Sequence, residues 1–225
     1  MVKVFQTKNC KYCGKELEEI YVQRFCEACG MPQPVTKDED YFQIFGIERK
    51  FNINLEEIEV TFYRLSRVLH PDKFSSSSNL PDVEEAKSVS LLLMSVLNQA
   101  FQTLVNRDKL RSYLLLLEGV DTKRLNGNHA SIPKELAAAW FDTKDAVVEN
   151  PEGAEAVLAK FEHNLIKALE VQESQIMKFE DDYDRKREQE VLNKLAHEIQ
   201  AKAFLKSISR DVQKFRDRTK KGLWH

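Results

Sequence analysis

From Leu55 to Phe215, apolar side chains recur at intervals of three and four residues, a rhythm that fits one face of a helix and not the alternation of a strand. Leu55, Ile58, Phe62, Leu65 and Leu69 make the first stripe. Asn54 stands before it as an N-cap, with Glu57 three residues on as its capping-box partner. Beyond Pro81 a second stripe carries Ala86, Val89, Leu93, Leu97, Ala100 and Leu104, with Phe101 beside it. The two are expected to pair antiparallel across the polar run Ser75 to Ser78. A short helix is expected at Tyr41, Phe42 and Phe45, opened by Asp38-Glu39-Asp40 and closed by Gly46, and another from Arg107 to Glu118, ending at Gly119.

After a polar stretch with Asn126-Gly127-Asn128 as turn material, three more helices follow. One starts at Ser131 and Pro133 and runs to about Asn150-Pro151. A long one carries Ala154, Leu158, Phe161, Leu165, Ala168, Ile176 and Phe179, and the last carries Leu192, Leu195, Ile199, Leu205, Ile208, Val212 and Phe215. The charged run Glu180 to Arg187 reads as a solvated turn or exposed helix end, and the tail after Lys220 as frayed. His129, His163, His197 and His225 have no ligand-like spacing. Three such helices make a coiled-coil-like bundle. With only seven glycines and six prolines in 225 residues, the expected class is all-α.

Charge narrows the partners. Lys and Arg number 34 against 36 Asp and Glu, a net charge of −2 that gives no field for nucleic acid or an anionic membrane. The longest apolar run, Tyr113 to Leu117, is far below the ~20 residues that cross a bilayer. Met1 to Lys8 lacks the long apolar segment of a secretory leader, so the chain reads as cytoplasmic.

All four cysteines lie in two C-x-x-C pairs, Cys10/Cys13 and Cys26/Cys29, with Gly14 and Gly30 immediately after. Glycine permits the tight turn that points backbone amides at paired sulfurs, and two such knuckles supply the four thiolates of a closed structural Zn²⁺ site. In a reducing cytosol this outranks two disulfides. A redox-active pair and an iron or iron–sulfur centre on the same thiolates are the remaining readings. Residues 1–34 hold too little apolar surface to fold by burial, so metal binding of about 10–16 kcal/mol would have to supply the stability. Pro32 and Pro34 mark a linker.

The first long stripe ends in Leu69-His70-Pro71-Asp72-Lys73-Phe74. Pro71 has no N–H and restricts His70, so the helix stops there. A second face of that helix carries Val60, Tyr63, Arg64 and Arg67 and leads to His70, which suits docking of an acidic partner. His70 and Asp72 could in principle serve acid–base catalysis, but no nucleophile, phosphate cradle or carboxylate pair lies near them in sequence, and they read as an exposed recognition loop.

A His-Pro-Asp loop between two amphipathic helices resembles the J-domain of co-chaperones. Asp40-Tyr41-Phe42-Gln43-Ile44-Phe45-Gly46, His70 to Phe74, Asn98 to Leu104 and Arg111 to Leu115 resemble the HscB type of J-protein. The resemblance implies an N-terminal zinc knuckle module at 1–34, a J-domain helical hairpin at 38–119 and a C-terminal three-helix bundle at 130–218. It implies no enzyme activity of its own. The family binds an iron–sulfur scaffold protein (IscU-like) and delivers it to a heat-shock ATPase (HscA/DnaK-like), whose ATP hydrolysis it stimulates. By the resemblance, Tyr63, Arg64, Arg67, His70, Pro71, Asp72 and Lys73 would meet the ATPase. Leu136, Trp140, Phe141, Asp142, Asp145, Glu149 and Phe204 would form the scaffold patch. Ala137 and Ala138 depart from the larger apolar residues usual there, and Trp140 is the expected compensation. The other readings are a J-protein with a different client and a zinc-ribbon nucleic-acid binder.

Overall fold

The computed structural model describes residues 8–17, 24–36, 39–75, 80–120 and 134–220. The expectations for Met1 to Thr7, Ser76 to Ser78, Asn126 to Asn128, His129, the helix start at Ser131 and Pro133, and the tail Lys221 to His225 lie outside them. Among the described residues the chain is helical, as expected, apart from a small antiparallel ribbon of β1 (Lys8–Asn9) and β2 (Glu16–Leu17) and a bridge between Phe25 and Pro32. No single described helix is long and apolar enough to cross a membrane. The chain divides into two compact units, Met1–Leu114 and Leu115–His225.

In the first unit, α1 (Tyr41–Phe45) opens with a reciprocal cap: Asp40 Oδ1 accepts from the Gln43 amide and Gln43 Oε1 from the Asp40 amide, both at 2.9 Å. Gly46 closes it at φ +69°, a left-handed turn that favours glycine. Then come α2 (Leu55–Leu69), the one-turn α3 (Asp72–Ser75), α4 (Val83–Leu104) and α5 (Arg107–Leu117). Phe62 stacks on Phe101 with centroids 4.2 Å apart, and the Ser90 hydroxyl donates to the Leu69 carbonyl, so α2 and α4 run antiparallel. Ile58, Leu65 and Leu69 bury against Ala86, Val89, Leu93, Leu97, Ala100 and Leu104. At about 1.5–3 kcal/mol per large side chain, this interface is the main stabiliser of the hairpin. Leu55 does not join it: at the first position of α2 it is 50% exposed.

The second unit holds α6 (Lys134–Glu149), a 3-10 turn (Pro151–Gly153), α7 (Ala154–Lys186) and α8 (Gln189–Lys220), with α7 packed on both other helices. Its core joins Trp140 and Val147 to Leu158, Phe161, Leu165, Leu205, Ile208 and Val212. Arg187, at φ +58°, and Glu188 alone connect the two long helices. Their antiparallel register shows in Gln172 with Glu198, Glu173 with Lys202, and Glu155 and Glu162 with Arg216.

Two expectations are corrected here. Of the two alternatives for the charged run, Glu180 to Lys186 is the helix end, the last two turns of α7, but it is not wholly solvated: Glu180 and Tyr183 are buried while Asp181, Arg185 and Lys186 are exposed. Glu180 and Tyr183 continue the stripe from Ile176 at intervals of four and three. Trp140 is 5% exposed and sits between the rings of Phe161, at 5.2 Å, and Phe215, at 5.6 Å and nearly perpendicular. It belongs to the bundle core and offers no surface to a partner.

Candidate functional site

The loop after α2 is held at both ends and exposed in the middle. Leu69 is buried and its carbonyl is taken by Ser90, while Phe74, four residues after His70, is buried at the other end. Between them the chain turns: the Lys73 amide donates to the His70 carbonyl at 2.9 Å and the Phe74 amide to the Pro71 carbonyl at 3.0 Å. These bonds make α3 a single helical turn beginning at Asp72. His70 is extended, at φ −64° and ψ 133°, as the following proline requires. Its side chain is 54% exposed and that of Asp72 is 89% exposed, with the Asp72 amide donating to His70 Nδ1 at 3.3 Å. Ser66, Arg67, His70, Asp72 and Lys73 line one open depression. Val60, Tyr63, Arg64 and Arg67 are exposed along the same face of α2. The structure thus brings the sequence-predicted cations and the His-Pro-Asp loop together on one surface.

The four cysteines also converge. Their sulfurs all lie within 4.8 Å of one another, with Cys10 and Cys29 at 3.7 Å and Cys13 and Cys26 at 3.7 Å. A disulfide needs about 2.05 Å. A tetrahedron with metal–sulfur bonds of about 2.3 Å has edges of about 3.8 Å, so the spacing fits a single four-coordinate ion. Gly14 and Gly30, both at φ +72°, make the turns, and their amides donate back to the Cys10 and Cys26 carbonyls at 2.9 and 2.7 Å. The Tyr12 amide and the buried Gln33 side chain donate to Cys10 Sγ at 3.4 and 3.5 Å. Such donors favour a thiolate.

Titration in the metal-free centre is split. Burial pushes the Cys10 thiol up, but the amides of Cys13 and Tyr12 and the neighbouring sulfurs outweigh it and bring it to about 7. Burial and the other three sulfurs push Cys29 to about 12. One sulfur ionises readily, and its negative charge makes the next ionisation harder. A bound dication would remove that conflict by neutralising the shared charge.

In the second unit, Ala138, Phe141, Asp142, Asp145, Val148 and Glu149 are all exposed on α6, Phe141 by 61% and Val148 by 51%. Lys144 Nζ lies 4.2 Å from the Phe141 ring. Leu136 and Phe204, expected in the patch, are half-buried against the bundle core, as is Ala137.

No protein-family model matches the chain. It is 28% identical over 141 residues to the co-chaperone protein HscB of Proteus mirabilis (strain HI4320), spanning 62% of this chain and 78% of that protein. It is 33% identical over 111 residues to the HscB homolog of Azoarcus sp. (strain BH72), spanning 49% and 59%. The crystal structure of human co-chaperone protein HscB superposes over 93% of this chain and 98% of its own, with a TM-score of 0.62 at 19% identity. The chain is similar to the HscB co-chaperones in sequence and in fold. The HscB of Vibrio cholerae shares the fold over 80% of this chain with a TM-score of 0.55. Several curated HscB relatives, the Azoarcus protein among them, are matched over only about three-fifths of their own length.

Within this HscB-like framework, sequence reasoning missed Val148, Ser90 and Gln33. Val148 lies seven residues after Phe141, a spacing that would have placed it on the same face. Ser90 interrupts an otherwise apolar stripe. Its hydroxyl would have to bond inside the core, and that marks it as an anchor. Gln33, between two prolines, carries no local signal of its contact with a sulfur.

Proposed function

We propose that this chain is a J-domain co-chaperone of iron–sulfur cluster assembly. In this reading it binds an IscU-like scaffold on its bundle and delivers it to an HscA/DnaK-like heat-shock ATPase. His70, Pro71 and Asp72 then act on the ATPase and stimulate its ATP hydrolysis, and the chain itself catalyses nothing. The observation that carries the reading is the exposed His70–Asp72 pair fixed between two anchored neighbours, in a chain similar to HscB. An imidazole and a carboxylate held outward on a short turn meet a partner with little ordering entropy left to lose. Tyr63, Arg64, Arg67 and Lys73 form the docking face around them. Exposed charges of this kind set encounter rate and orientation more than affinity. Cys10, Cys13, Cys26 and Cys29 hold Zn²⁺ as a structural crosslink in a reducing compartment, the cytoplasm. The module 1–34, the J-domain 38–119 and the bundle 130–218 are the working parts.

The scaffold face is the exposed side of α6: Phe141 as apolar anchor, Val148 beside it, and Asp142, Asp145 and Glu149 as an acidic rim. A second reading, a J-protein with a different client, draws support from the burial of Trp140, which removes the compensation for the small, exposed Ala138. Single-turnover ATP hydrolysis by a purified heat-shock ATPase tests the main reading. The wild-type chain should accelerate it, and His70→Gln should return it to the unstimulated rate. Equal acceleration by both would refute the assignment. Co-purification with an IscU-like scaffold, lost on Phe141→Ala, separates the two clients.

A further inference from the structure

The metal knuckles do not stand apart from the His-Pro-Asp turn. Met31 follows Cys29 and Gly30 in the second knuckle and is fully buried in one cluster with Phe74 of α3 and Ala86 of α4. Tyr12, between Cys10 and Cys13 of the first knuckle, packs on that cluster, as do Cys29 and Leu80. The Tyr12 hydroxyl also donates to Glu85 Oε1 at 3.3 Å, in the first turn of α4. At Gly30 a Cβ would lie 3.0 Å from Leu80 Cδ2, so the knuckle backbone itself lies against the segment that leads into α4. The hydrophobic seat of Phe74 is therefore built from both metal-binding loops. Beyond their ligands these loops show little core of their own: among the described residues, Leu17 is the one buried apolar side chain clustered with Cys10 and Cys26.

We propose that metal occupancy of the four-cysteine centre sets the order of the His-Pro-Asp turn, with Met31 and Tyr12 as positioning residues that seat Phe74. Bound metal locks both knuckles and presses Met31 and Tyr12 onto Phe74. Phe74 in turn closes α3 through the hydrogen bond that its amide donates to the Pro71 carbonyl, which fixes where His70 and Asp72 point. When the metal leaves, the knuckles lose their crosslink, the seat opens and the turn frays, while the α2–α4 interface persists on its own burial. The consequence for ATPase stimulation rests on the proposed function, but the structural coupling does not.

Hydrogen–deuterium exchange on the full chain tests it. Zinc-loaded, chelator-stripped and zinc-loaded Met31→Ala proteins are compared, with metal content measured alongside. Stripping should speed exchange at Lys73 and Phe74 by about tenfold or more and leave the amides of Leu93 to Leu97 protected. Met31→Ala should retain its zinc yet speed exchange at the same two amides, and Met31→Leu should restore it. Unchanged exchange at Lys73 and Phe74 on stripping, or in zinc-loaded Met31→Ala, overturns the coupling. Loss of protection at Leu93 to Leu97 together with the turn also overturns it, because the metal would then hold the whole unit. Failure of His70→Gln to abolish ATPase stimulation would refute the proposed function and leave the exchange result standing.

Discussion

Replacing Trp140 or its neighbour Phe141 by alanine removes an aromatic ring from adjacent positions of one helix, and the two losses should differ sharply. Trp140 is 5% exposed and lies against Phe161 and Phe215 in geometries that each contribute about 0.5–1.5 kcal/mol beyond burial. With the cavity left behind, Trp140→Ala should cost about 3–5 kcal/mol. Phe141 is 61% exposed and its ring meets the Lys144 ammonium, a contact of about 0.5–1 kcal/mol. Urea titration followed by far-UV circular dichroism measures both. With a slope of about 2 kcal/mol per molar urea, the Trp140 variant should lower the midpoint of the bundle transition by about 2 M. The Phe141 variant should lower it by less than about 0.5 M. Scaffold binding should sort the other way: Phe141→Ala weakens it by about 2 kcal/mol or more, the scale of an interface anchor, while Trp140→Phe leaves it unchanged. Equal shifts in the two midpoints, or a larger one for Phe141, would refute the division of this helix into a core face and a partner face.

Metal binding should strengthen as pH rises. At pH 8 the metal-free Cys10, at about 7, is largely ionised, whereas Cys29, at about 12, and Cys13, also raised, hold protons that the ion must displace. At least two protons released corresponds to about a hundredfold gain in affinity per pH unit, measurable by competition with a chromophoric chelator and by proton release. Gly30→Ala should destabilise the first unit more than Gly14→Ala. Both add the left-handed backbone cost of about 1–2 kcal/mol, but only the Gly30 methyl meets a neighbour, Leu80, within 4 Å. Thermal unfolding of the two variants makes the comparison.

The long helices and the four-thiolate cluster were legible in the sequence because spacing alone carries them. Five apolar residues at three- and four-residue intervals define α2 whatever surrounds it, and C-x-x-C followed by glycine defines a knuckle. What escaped depends on a partner elsewhere in the chain. The turn Asp72 to Ser75 is too short to show periodicity, and its closure owes much to the burial of Phe74 beneath Met31, 43 positions earlier. Glu180 and Tyr183 looked like part of a solvated run because charge masked their place on the buried face of α7. Trp140 and Phe141, about 100° apart on a helix, cannot both face the core, and only the packed structure says which does. Leu55 matches the stripe by number but, at the first position of α2, stays half exposed.

The two-residue connection at Arg187 and Glu188 governs how the second unit can assemble. It joins helices of 33 and 32 residues, each about 50 Å long at 1.5 Å per residue. Contacts next to it close only a short loop, so they form at small entropic cost. Pairing can then proceed outward like a zip, past Gln172 with Glu198, to Arg216 with Glu155 and Glu162 at the far end. α6, whose core partners Phe161 and Phe215 come together only once that far end has closed, is placed to dock last. On this order the exposed face that carries Phe141 is expected to become rigid last, and if it binds a client as proposed, a slowly formed hairpin would be felt first as delayed capture.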